Sequence, residues 1–139
     1  MTGPTYEAVR IGETIPPLTL PPVARGTLAL FAAASGDHNP IHLDPGVARA
    51  AGMGDVFAQG MLVMAWAGRA LSAWAPPGGL RQFGVRFTSL TRPGDVLTCS
   101  GTVIEKREEE GERRVRLRVE VADAGGEVKL AGQALVALP

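Results

Sequence analysis

Beyond residue 80 the chain alternates between apolar and polar positions. Residues 115–121 do so without error: Val115, Leu117, Val119 and Val121 fall on one face, Arg116, Arg118 and Glu120 on the other. A period of two is that of a strand with one side buried. Residues 80–87, 96–105 and 128–138 read as three more strands, separated by turn-forming runs at Pro93, Gly94 and Asp95 and at Asp123, Ala124, Gly125 and Gly126. The first half is different. Residues 60–74, GMLVMAWAGRALSAW, are apolar nearly all round and broken only by Arg69 and Ser72, which predicts a helix covered on most faces. Strong helix formers over 27–34, with Thr27 as N-cap and Gly36 as the stop, predict another. Residues 37–55 are punctuated by Asn39, Pro40, Asp44, Pro45, Gly52 and Gly54, so a loop is expected with a short helix over 47–51. Pro16, Pro17, Pro21 and Pro22 predict an extended lead-in.

Helices first and an antiparallel meander after them make an α+β plan. One long apolar helix needs one sheet to cover it, and a curved antiparallel sheet wrapped around a central helix meets that requirement. The outer edges of such a sheet lack partners, so pairing with a second copy, as a homodimer or a dimer of dimers, is expected.

Composition narrows the possible functions. The 139 residues suit one domain, taken as 1–139, and 45% hydrophobic content suffices for one core. Fourteen basic residues balance fourteen acidic ones, which argues against nucleic acid as a partner, since duplex binding needs a basic face. Cys99 is the lone cysteine and His38 and His42 are the only histidines, so neither a disulfide nor a Cys- or His-rich metal site is expected. No segment is uniformly apolar over the roughly 18 residues of a membrane span, and residues 1–10 lack the basic and apolar runs of a secretory signal. A soluble cytoplasmic protein with no membrane partner is expected. The mixed-sign charges of 105–120, twelve in number, read as a solvated hairpin face.

The chemistry concentrates in Ser35-Gly36-Asp37-His38-Asn39-Pro40-Ile41-His42. Asp37 and His42 lie five apart across a proline, close enough in one tight loop to hold a water or substrate proton between carboxylate and imidazole. Taken alone, such a stretch reads more readily as cap and turn residues, with Asn39 bonding its own loop backbone and His42 merely packing. Downstream, Gln59-Gly60-Met61 opens the apolar helix, whose free N–H groups and positive dipole end suit a developing oxyanion. Gly60 has no side chain to keep a carbonyl away from that backbone.

The pattern F-x-x-x-S-G-D-x-N-P-I-H-x-x-P-x-x-A over residues 31–48, followed by the Gly-Met-Leu helix start, resembles the signature of the MaoC-like family, the (R)-specific enoyl-CoA hydratases and related dehydratases. Val85-Arg86-Phe87 and Pro93-Gly94-Asp95 resemble the strand and turn that follow in that family. The resemblance implies a hot-dog fold and addition of water to enoyl thioesters carried by CoA or acyl carrier protein, with no cofactor. It implies that Asp37 and His42 hold the water and that the Gly60 N–H binds the thioester carbonyl. Asn39 would hold the loop and take its place in the substrate site, alongside Gln59 and Met61. Arg86 is a candidate for carrier phosphates, as is Arg92. Two departures stand out: the family usually has His where this chain has Gln59, and some relatives have Ser where it has Gly68. A hot-dog thioesterase is the competing activity. Such enzymes usually place a carboxylate on the central helix, and residues 60–74 contain none. A non-catalytic subunit of a heteromeric hydratase is the third reading, against which the intact Asp37 and His42 weigh.

Overall fold

The computed structural model describes residues 3–139. Its elements run β1 (Leu18–Thr19), α1 (Arg25–Ser35), a single 3-10 turn (Pro40–His42), α2 (Pro45–Ala50), α3 (Gly60–Trp74), β2 (Leu80–Phe87), β3 (Leu97–Glu109), β4 (Glu112–Asp123) and β5 (Val128–Ala137). The strands form one antiparallel sheet in the order β1-β3-β4-β5-β2. Helix α3 packs against β2, β3, β4 and β5. It buries Leu62, Val63, Ala67, Ala70 and Leu71. These join Leu97, Val103, Val115, Leu117, Val119, Val121 and Leu130 in one core, so the residues that alternate in sequence are those the helix covers. No helix among the described residues is long and apolar enough to cross a membrane.

Three elements differ from expectation. Helix α1 begins two residues early, at Arg25, and its N-cap Ala24 makes no side-chain cap, so Thr27 lies inside the first turn. Tertiary anchoring sets that start: Val23 N–H donates to Asp95 O and Gly94 N–H to Val23 O. Helix α2 likewise starts early, at Pro45, because Asp44 caps it by accepting from Gly46 N–H at 2.8 Å. The hairpin of β3 and β4 is longer than the apolar alternation predicts. It continues to Glu109 and Glu112 and turns through Glu110 and Gly111, both at positive φ.

The two edges of the sheet are finished differently. The proline-rich lead-in runs along β3, with Ile15 N–H donating to Gly101 O and Leu20 N–H to Leu97 O. Its prolines limit the regular strand β1 to two residues. At the other edge, β2 pairs with β5 on one side only and is exposed along most of its length.

Candidate active site

Helix α1 ends on Gly36, which takes the left-handed conformation (φ 79°) open mainly to glycine and donates back to Ala32 O. The chain then turns chiefly on side-chain-to-backbone bonds, with His38 N–H donating to Gly36 O and His42 N–H to Asn39 O. Ser35 Oγ donates to Phe31 O and accepts from Asp37 N–H. Asp37 Oδ1 accepts from Asn39 N–H and Asn39 Oδ1 from Ile41 N–H. Pro40 follows at the first position of the 3-10 turn, which delivers His42 to the interior at 9% exposure.

His42 is fixed from behind. Its Nδ1 lies 2.7 Å from Phe57 O, and the ring meets that of Phe57 edge to face with centroids 5.0 Å apart. A backbone carbonyl only accepts, so Nδ1 carries the hydrogen, and in the neutral ring Nε2 presents its lone pair. Nε2 faces Asp37 Oδ2 at 3.7 Å, beyond direct hydrogen bonding, and the Asp37 carboxylate is partly open to solvent. Two acceptors thus converge on one point with neither saturated by the other. A water seated in that fork donates to both and turns a lone pair outward.

The segment that orients His42 also opens α3. Phe57 O takes the imidazole hydrogen, and Ala58 N–H donates to Thr91 O at 2.8 Å. Gln59 Nε2 donates to Leu28 O at 2.9 Å, and Gly60 begins the helix. The loop that supplies Thr91 is itself held by Lys129, a buried cation bonded to Leu90 O and Glu127 and flanked by Asp95 and Asp123. Gly60 is Gly for a steric reason: a Cβ there would lie 3.2 Å from the ring of Phe87, at the end of β2. Phe87 (50% exposed) and Met61 (58%) leave an open apolar flank beside that helix start.

Asp37, His42 and the segment leading into Gly60 are therefore brought together, and Met61 stands exposed beside them. Asn39 turns its oxygen into its own loop. Gln59 is 1% exposed and bonded to α1, so its side chain lies within the protein instead of lining an open surface. Phe83 and Val85 pack on the core and Phe87 covers Gly60, so strand alternation puts Arg86 on the other, exposed face of β2. Arg92 is tied to the loop by its bond to Met53 O. Phe57, Thr91 and Leu28 act through carbonyls, which no sequence pattern marks. Phe87 was legible, since it continues the inward parity of Phe83 and Val85.

Residues 8–124 match the MaoC like domain. The chain belongs to the MaoC-like family. A UPF0336 protein of Streptomyces avermitilis is 33% identical over 126 residues, 84% of each chain. Among solved structures, the unliganded R-hydratase PhaJ1 from Pseudomonas aeruginosa is similar at 32% identity and a TM-score of 0.83, covering 97% of this chain and 85% of that one. The (R)-hydratase from A. caviae involved in PHA biosynthesis is similar at 26% identity and a TM-score of 0.81, over 96% and 99% of the two chains. The sheet and its central helix are thus those of a MaoC-like hot-dog fold, and hydratase or dehydratase chemistry is the business of the family.

Proposed function

We propose that this MaoC-like chain adds water reversibly across the 2,3-double bond of trans-2-enoyl thioesters, giving (R)-3-hydroxyacyl thioesters. The observation that carries the reading is the pair of unsaturated acceptors, His42 Nε2 and Asp37 Oδ2, 3.7 Å apart with the imidazole tautomer set by Phe57 O. The water held between them attacks C3. Its O–H bond breaks toward Asp37 as the C–O bond forms, and the carboxyl returns a proton to C2. Negative charge gathers meanwhile on the thioester oxygen, where the first N–H groups of α3 at Gly60 are the stabilising donors. No electrons are transferred, so the step calls for no redox cofactor.

The reading extends to assembly. The open edge of β2 supports pairing of two copies there, as a dimer or a dimer of dimers. Light scattering at micromolar concentration checks this, and a clean 14.5 kDa monomer is the contrary result. The cytoplasm, where acyl thioesters are made and consumed, is the compartment implied. The deciding assay follows loss of the enoyl-thioester absorbance with crotonyl, medium-chain, long-chain and steroid-type CoA thioesters, and with the same acyl groups on acyl carrier protein. Turnover with any of them supports the reading. Hydrolysis to free thiol without hydration would instead indicate a thioesterase.

A further inference from the structure

Resting on that reading, we infer that Gln59 is a positioning residue: its side-chain amide ties helix α1, which carries the Asp37 turn, to the first residue before Gly60, and so sets the dyad against the thioester-binding N–H groups. Gln59 Nε2 donates to Leu28 O at 2.9 Å, across 31 residues of chain. Leu28 is itself fully buried in α1, and α1 leads through Ser35 Oγ to the Asp37 N–H. On the other side, Gln59 lies two residues after the carbonyl that fixes His42 and one before Gly60. One side chain thereby couples the helix behind the base to the segment behind both the imidazole and the helix start.

Stability alone does not account for a glutamine here. Its second polar atom, Oε1, is buried with no hydrogen-bond partner among the described residues. A buried acceptor left unpaired is unfavourable, and an apolar side chain of similar volume would avoid it. Leu28 O is also the regular acceptor for the Ala32 N–H within α1, so removing the glutamine strands no backbone group. What the Nε2 bond adds is geometry.

The test uses the full chain with Gln59→Leu and Gln59→Glu, and crotonyl-CoA as the probe. For Gln59→Leu the expected result is a melting temperature equal to or above that of the wild type with kcat lowered about 10²-fold, the effect of a misplacement of order 1 Å. KM stays nearly constant. Gln59→Glu bonds Leu28 O only when protonated, so its rate relative to wild type rises as pH falls. A change in KM with kcat intact would make Gln59 a substrate contact and overturn the inference, as would wild-type kcat in Gln59→Leu. A Gln59→Leu chain that does not fold, or melts well below wild type, would show the role to be structural and overturn it too. Should the wild type itself turn over no enoyl thioester, the hydratase reading fails separately. The His42 Nδ1–H resonance then decides: a shift in Gln59→Leu upholds the coupling and an unmoved signal refutes it.

Discussion

The two most polar stretches of the chain, the tip of the β3–β4 hairpin and the turn from Ser35 to His42, put their polar atoms to opposite uses. At the hairpin tip charges consume one another. Arg114 meets Glu109, Glu110 and Glu112, Arg107 lies between Glu105 and Glu109, and Arg81 reaches from β2 to Glu112. Glu112 is held down at about 2 by its hydrogen bonds from Arg81 and Arg114. In the Ser35–His42 turn, by contrast, side chains spend their hydrogen bonds on backbone, and the two reactive groups are aimed at each other without closing the bond. A cluster of charges paired with one another stabilises shape and has little left to offer a substrate. Chemistry resides where groups are oriented and still unsatisfied.

The largest expected effect breaks the unsatisfied side of this contrast. Asp37→Asn retains the turn-forming oxygen and removes the base, so turnover should fall by roughly 10²–10⁴-fold with the melting temperature little moved. His42→Ala should cost as much, and the double variant far less than the product of the two, because the pair acts as a unit. Steady-state kinetics and thermal melting on the same three proteins check this; a folded Asp37→Asn enzyme with normal turnover would end the assignment. Next comes Gly60→Ala, whose Cβ would press on the Phe87 ring at 3.2 Å. Displacing the helix start by a fraction of an ångström should lower kcat by about tenfold or more, and adding Phe87→Leu should restore part of it. Kinetics of the single and double variants decide.

The hairpin should answer in stability and not in rate. Arg114→Met leaves Glu110 without its cation and takes one of two from Glu109 and from Glu112, so melting should fall measurably while turnover of the folded enzyme is unchanged. The smallest effect is the pH dependence. Glu112 and Asp55 (beside Arg25) both sit at about 2, below the roughly 4 of an unfolded carboxyl. A depressed folded-state value means their contribution is complete above about pH 5 and is lost as pH falls toward 2. Melting scans from pH 7 to 3 should show that decline, shallower in Glu112→Gln and in high salt.

The fold was largely open to reading because burial imposes a period: the error-free alternation of 115–121 and the all-round apolar face of 60–74 each admit one element type. The hairpin at 105–120 was legible as such, but the extension of its strands to Glu109 and Glu112 was not, since charge pairs leave no apolar period. The start of α1 escaped because Val23 is pinned by the Gly94–Asp95 turn, far along the chain. In the candidate site, Asp37, His42 and Gly60 stood out through the family pattern they match, since their spacing alone reads more readily as cap and turn. The groups that orient them did not, because Phe57, Thr91 and Leu28 act through main-chain oxygens that every residue possesses. The side of the sheet that Arg86 takes was also open to reading, because Val85 and Phe87 on either side supply the strand parity.

Phe57, Ala58, Gln59 and Gly60 hold four consecutive appointments: the imidazole, the Thr91 loop, helix α1 and the start of α3. Two of the four are kept by main-chain atoms, so those two hydrogen bonds do not themselves depend on the residue type. All four depend on the spacing. Deleting or inserting one residue here shifts every partner by about 3.5 Å of chain, more than a hydrogen bond can stretch. A change of length inside this stretch is therefore expected to uncouple all four partners at once, whereas one in the surface loops on either side would leave them in register.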